Sequence, residues 1–352
     1  MCEVVKTENK QVNTSAPVKA AAVPGENVYK KESYLTKAFW GAIVWGIVIF
    51  LVQRFDDLTW LEKHWDWMLD NFSEFQISTF ITFVLHETMY FSWFLPWLLI
   101  DQIPFFKKWK IQQNKVNDGP QMWRCFKTLC FNHTFIQMPM MLLTHAFLKF
   151  MGFSMVTPLP SLTTIAMKLP LFFIVEDFYF YWVHRALHHK SVYKYIHKVH
   201  HTHAAPFGIA AEYAHPAETF LLGIGTMLGP ILFANHLLEL WVWLGVRLME
   251  TVEDHSGYEL PFSPTNFIPF WGGAVHHDFH HKEFEGNYAS VFTLWDWVFG
   301  TDGNFRAAQL HKKAAGTTQW SDAVEKAGLH RSVAEAALSS RAARRAPKPK
   351  AQ

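Results

Sequence analysis

Residues 184–201 read HRALHHKSVYKYIHKVHH, and this stretch decides how the rest of the chain is understood. On a helix, positions i and i+4 share a face, so His184 and His188 reach one point together. His189 is rotated by one residue and joins them only through a turn at the helix end. His197, His200 and His201 follow at i, i+3 and i+4, and the same spacing returns in His277, His280 and His281, directly after His276. Each triplet sets three imidazoles on one side of a short helix, which suits one shared ion or a bridge between two. Most of the chain's 20 histidines fall between His184 and His281, among Trp, Phe, Tyr and Leu rather than in a low-complexity metal-buffering tract. The boxes hold more imidazoles than the four ligands of a tetrahedral zinc, so two metal ions are the economical expectation.

Working outward, Asp177 lies seven residues before His184 on the same helical face, placed to orient an imidazole through its other nitrogen. His255 has Glu259 four residues on, while His203 and His215 stand alone. His64, His86, His133, His145, His236, His311 and His330 read as surface or satisfied core residues. Spacing alone does not choose the metal, because imidazole suits Zn, Cu, Fe and Ni. There is no HExxH, GxSxG or GxGxxG in the chain, which removes the zinc-protease, serine-hydrolase and dinucleotide readings.

The 352-residue chain as a whole is apolar and aromatic: 50% hydrophobic, 18% charged, with 16 Trp and 32 Phe, so disorder over most of the chain is excluded. Three cysteines make no disulfide framework, and a net charge of +2 gives no case for nucleic acid. Uncharged or nearly uncharged stretches occupy residues 38–53, 75–100 (with Glu87 its single acid), 128–148 and 219–238 (with Pro230 as a kink). Residues 161–183 are broken by Lys168, Glu176 and Asp177. The expected fold is an all-α integral membrane helical bundle of about four or five apolar segments with a cytosol-facing, histidine-rich di-metal cap. Mean hydropathy is only +0.01 because the polar tails and the histidine region dilute those segments.

The boxes, in this order beside apolar segments, resemble the fatty-acid hydroxylase and sterol desaturase superfamily of membrane di-iron oxygenases. The runs HKVHHTHAAPFGIAAEYAHPAET, ETVEDHSGYELPFSPTNFIPF and HHDFHHKEFEGNYASVFTLWDWVFGTD are similar to the C4-methylsterol oxidases, over about residues 170–303. The resemblance implies an endoplasmic-reticulum enzyme that oxidises a sterol C4 methyl group through alcohol and aldehyde to carboxylate. It would use O2 and electrons from NAD(P)H through cytochrome b5 and its reductase, ahead of a C4-carboxysterol dehydrogenase/decarboxylase. It also implies two iron ions held by His184, His188 or His189, His197, His200, His201, His255, His277, His280 and His281. His276, His215 and Asp177 are expected beside them. Some relatives carry a histidine where this chain has Glu259, which makes Glu259 a further candidate ligand or hydrogen-bond partner.

The same ligands would serve sterol C5 desaturation or fatty-acyl hydroxylation, and the non-ligand runs around PFGIAAEYAHP and HSGYELP favour C4-methyl oxidation. A histidine-rich metal transport or storage protein would instead spread its ligands along membrane helices. Tyr179, Tyr181 and Trp182 are expected to line the approach to the first box, and Arg185, Lys194 and Lys198 to face solvent. The expected organisation is a flexible polar tail over 1–37, membrane helices over 38–168, a catalytic domain over 169–306 with a further membrane segment near 219–246, and a basic tail over 307–352. Both tails are expected in the cytosol, and the final Lys348-Pro349-Lys350-Ala351-Gln352 fits a dibasic retrieval address.

Overall fold

The computed structural model describes residues 31–268 and 270–314, and among these there is no strand, only three isolated bridges. Helix α1 (Lys31–Arg54) turns into α2 (Thr59–Asn71). Helices α3 (Glu74–Gln76) and α4 (Thr82–Gln102) continue one another through a π-turn over Ile77–Ile81. A second rod runs through α5 (Gly119–Asn132), a π-turn at His133–Gln137, and α6 (Met138–Phe150). The long α7 (Leu162–Leu187) is followed by a single-turn α8 (Lys190–Tyr193). Then come α9 (Pro216–Phe233), α10 (Leu237–Asp254), α11 (Gly273–Glu283), α12 (Leu294–Phe299) and α13 (Gly303–Ala314).

Local chemistry sets where these helices begin. Asp118 caps α5 by accepting from the Gln121 amide at 2.6 Å, and Ser161 caps α7 through the Thr164 amide at 3.1 Å. His236 and Glu239 form a reciprocal cap at the start of α10. Packing then joins α7 to α9 and α10 to α4. The α7–α9 contact needs glycine: a Cβ at Gly229 would lie 2.5 Å from the Phe172 Cα, and one at Gly225 would lie 2.6 Å from Tyr179 Cδ1. Beneath it, the fully buried Trp243 sits edge-on to Phe172 and Phe173, at 5.6 and 4.8 Å between centroids.

The outer faces are apolar. Phe39, Trp40, Ile47 and Phe50 on α1, Val84, Leu95 and Leu99 on α4, Leu143 and Phe150 on α6, and Met167, Leu171 and Ile174 on α7 are all exposed. So large an apolar surface suits lipid rather than water. By length and hydropathy, however, one described helix passes as a span, Pro216–Phe233, with a second only if Phe39–Arg54 and Thr59–Asn71, bent by 71°, are counted together. This is fewer than the four or five apolar segments expected. Helix α7 carries Lys168, Glu176 and Asp177, and the 75–100 and 128–148 stretches hold buried His86, His133 and Asn132. The 219–238 stretch is divided, since Ala234–His236 separate α9 from α10. At the other end α13 is helical across the 307 boundary, up to Ala314. The remaining tail residues, 1–30 and 315–352, and the retrieval address with them, lie outside the described residues.

Candidate metal centre

Three helix ends and one turn bring the histidine boxes together. His184, in the last turn of α7, and His188, at its C-cap, meet His197 and His201 from the 194–202 turns and His280 from α11. Within this group His184 Nε2 is 2.9 Å from His197 Nε2, and His201 Nε2 is 3.1–3.2 Å from those of His197, His188 and His280. The second group is His200, His255, His277 and His281. Here His255 Nε2 lies 3.3 Å from His200 Nε2 and 2.9 Å from His277 Nε2, which is 3.1 Å from His281 Nε2. The boxes therefore interlock. In HxxHH the i and i+4 histidines enter one group while the one between them enters the other.

The tautomers follow from the outer nitrogens. His184 Nδ1 donates to the Tyr288 carbonyl at 2.7 Å, His255 Nδ1 to that of Thr251 at 2.8 Å, and His280 Nδ1 to that of Gly286 at 2.7 Å. His200 Nδ1 donates to the Tyr213 carbonyl at 3.2 Å, and His197 Nδ1 to Glu218 Oε1 at 2.8 Å. A neutral imidazole with its proton on Nδ1 has only a lone pair on Nε2. Lone pairs facing one another at these distances repel unless a cation sits between them. Metal–nitrogen bonds of about 2.1 Å at right angles put two nitrogens about 3.0 Å apart, as here. The five imidazoles of the first group and the four of the second would hold the ions through nitrogen alone. Burial pushes His197 down to about 3 and His200 to about 4, and carries His201, His255, His277, His280 and His281 well below the ordinary imidazole range, reinforced by neighbouring imidazoles. The donor set is neutral and fits a metal.

The other expected site residues fall elsewhere. His189 is exposed and caps α8, its Nδ1 2.6 Å from Ser191 Oγ: the turn after α7 sends it outward. Glu259 is outside both groups, its carboxylate 3.1 Å from Lys312 Nζ, because α10 stops at Asp254 and the i+4 relation to His255 is lost. Asp177 orients no imidazole. It accepts the backbone amides of Ser290, Val291 and Phe292 at 3.0, 2.7 and 3.2 Å, and so fixes the loop whose Tyr288 carbonyl receives His184. His215 caps α9 through the Ala217 amide, and His276 is buried 3.6 Å from Asp296. Arg185, Lys194 and Lys198 are exposed. Tyr179 donates to the Leu221 carbonyl and Tyr181 contacts Thr301, so neither lines the cavity, and Trp182 packs on Phe299; Phe180 lines it instead.

Two features were not anticipated. Glu218 orients His197 from 21 positions away, in the first turn of α9, and its only sequence signal is an acid after a His-Pro helix start. His86 and His133, read as satisfied core residues, are buried and meet the half-buried Glu87 and Glu212 in a third polar cluster. A cavity of about 280 Å³ connects this cluster with the two imidazole groups, walled between them by Met140, Phe180, Leu222, Leu244 and Leu248.

Fold and site together define a helical metalloprotein whose ions would rest on imidazole alone at one end of a largely apolar cavity. A family model described as fatty acid hydroxylase matches residues 169–301. A Dictyostelium discoideum protein named as a methylsterol monooxygenase is 52% identical over 73% of this chain and 96% of its own length. Methylsterol monooxygenase 1 of Rattus norvegicus is 47% identical over 72% of this chain and 86% of its own. A very-long-chain aldehyde decarbonylase of Oryza sativa subsp. indica is 46% identical over 73% and 97%. No solved structure matches. The chain belongs to the fatty acid hydroxylase family and is an oxidoreductase.

Proposed function

We propose that this chain oxidises the C4 methyl group of 4-methyl and 4,4-dimethyl sterols with O2, stepwise through alcohol and aldehyde to carboxylate. The observation that carries the reading is the convergence of nine imidazole nitrogens on two points beside an apolar cavity. Two iron ions would be held, one by His184, His188, His197, His201 and His280, the other by His200, His255, His277 and His281. Iron so bound supplies the redox chemistry toward O2. The chain's own residues hold that donor set. Asp177 and the carbonyls of Tyr288 and Gly286 fix His184 and His280, Glu218 fixes His197, and burial keeps the imidazoles unprotonated. Met140, Phe180, Leu222 and Leu244 exclude water and give a flat apolar ring system a wall to lie against.

In this reading the apolar outer faces sit in the endoplasmic-reticulum bilayer, from which the sterol enters, with the histidine cap toward the cytosol. Electrons arrive there from NAD(P)H through cytochrome b5 and its reductase, and a C4-carboxysterol dehydrogenase/decarboxylase consumes the product. The Oryza relatives named as aldehyde decarbonylases make long-chain aldehydes the competing substrate class. Sterol profiling of cells lacking the protein decides between them. Accumulated 4-methyl or 4,4-dimethyl sterols, cleared on re-expression of the intact chain but not of His200→Ala, are expected; unchanged sterols with accumulated long-chain aldehydes would overturn the reading.

A further inference from the structure

The third polar cluster is a closed ring. His86 Nδ1 lies 3.0 Å from Glu87 Oε1 and its Nε2 3.4 Å from Glu212 Oε1. His133 Nδ1 lies 3.0 Å from Glu87 Oε2 and its Nε2 2.9 Å from Glu212 Oε2. Every ring nitrogen thus faces a carboxylate oxygen, an arrangement that protons on the imidazoles complete without an ion. Gln137 leads from this ring into the cavity. One end of its amide lies 3.1 Å from His86 Nε2, where the amide oxygen accepts from the protonated ring, and the other end is buried with no hydrogen-bond partner among the described residues. Burying one end of an amide unpaired is costly unless something that binds there supplies the partner.

Position argues for a ligand. Gln137, His86 and Glu212 line the same cavity as His184, His200 and His255. One short loop fixes the two walls together: the Tyr213 carbonyl accepts from His200, while the preceding residue, Glu212, closes the ring. His133 and Gln137 bound a π-turn, a distortion concentrated at functional sites. Two further buried oxygens without partners, on Glu218 and Asp254, also line the cavity, but both belong to residues beside imidazoles of the metal groups.

We propose that Gln137 binds the hydroxyl group of the substrate, with the His86–Glu87–His133–Glu212 ring as its positioning scaffold; this rests on the sterol reading above. A hydroxyl both donates and accepts, so it complements either end of an amide. In a 4-methylsterol the C3 hydroxyl is on the carbon next to C4. Gripping that hydroxyl on one wall presents the adjacent methyl group to the imidazoles on the other.

The test uses the full-length, iron-loaded protein in phospholipid nanodiscs, a 4-methylsterol and its 3-deoxy analogue. Binding is read by tryptophan quenching and oxidation by product analysis. The wild-type chain is expected to bind the hydroxylated sterol about 10- to 100-fold more tightly than the deoxy analogue. Gln137→Leu is expected to lose that same factor, to bind both ligands alike, and to show its loss in KM rather than kcat, with iron content unchanged. A purely structural role would weaken both ligands together. The near-isosteric Gln137→Met gives the same result where Gln137→Leu does not fold. The proposal falls if either variant keeps the wild-type preference, if the wild type has none, or if metal analysis finds a third ion that His86→Gln removes. Hydroxyl-dependent binding without oxidation would sink the sterol-oxidase reading and leave this inference standing; oxidation without hydroxyl dependence would do the reverse.

Discussion

The chain buries histidine in two regions, and the difference lies in what each imidazole faces. Between His184 and His281, nine rings point nitrogen at nitrogen, and the outer nitrogens of His184, His200, His255 and His280 are tied to backbone carbonyls. Around His86 and His133 every nitrogen meets a carboxylate. Both regions are withdrawn from water, so burial alone does not separate them. The counter-group does. Facing lone pairs leave a gap that a cation fills, whereas facing carboxylates leave one that protons fill. Histidine content alone would have treated the two regions as one.

That contrast can be broken by substitution. His133→Ala leaves Glu87 and Glu212 confronting one another with one imidazole in place of two, and breaking a buried pair of this kind costs about 3–5 kcal/mol. Unfolding of the metal-loaded enzyme should report that loss with iron content unchanged; release of iron would merge the two regions. Glu218→Gln sharpens the contrast from the other side. It removes the carboxylate that orients His197 and should weaken metal retention about 10- to 100-fold in chelator competition, as hydrogen-bond partners of ligands do. The smallest effect is expected at His189, which belongs to neither region. His189→Ala should leave activity and metal content within about twofold, the scale of an exposed substitution.

Much of this was legible from spacing, because helical periodicity is a local property. The i and i+4 pairs His184/His188, His197/His201 and His277/His281 do share faces, and their groups form where those faces meet. Spacing failed where the helix it presumed ended. Helix α10 stops at Asp254, so Glu259 loses its i+4 relation to His255, whereas His189 was already off the shared face by spacing and stood among the ligands through the resemblance. Asp177 shared the expected face, but backbone amides of a loop more than a hundred residues on took its oxygens first. Glu218 and the His86–Glu212 ring were invisible for the same reason. Each depends on helices packed together from distant parts of the chain, held by contacts such as Gly229 against Phe172. By length and hydropathy one or two described helices pass as spans, and α4, α5 and α7 turn polar side chains such as His86, Asn132 and Glu176 inward.

Interlocking has a mechanical consequence. His200 sits on the same short turn as His197 and His201, and His280 on the same helix as His277 and His281, yet each serves the opposite group. Any backbone shift that re-aims one ligand re-aims its neighbours. If an ion occupied each group, loading either would prepare the pocket for the other, and the pair would assemble cooperatively, with the half-filled protein a scarce species.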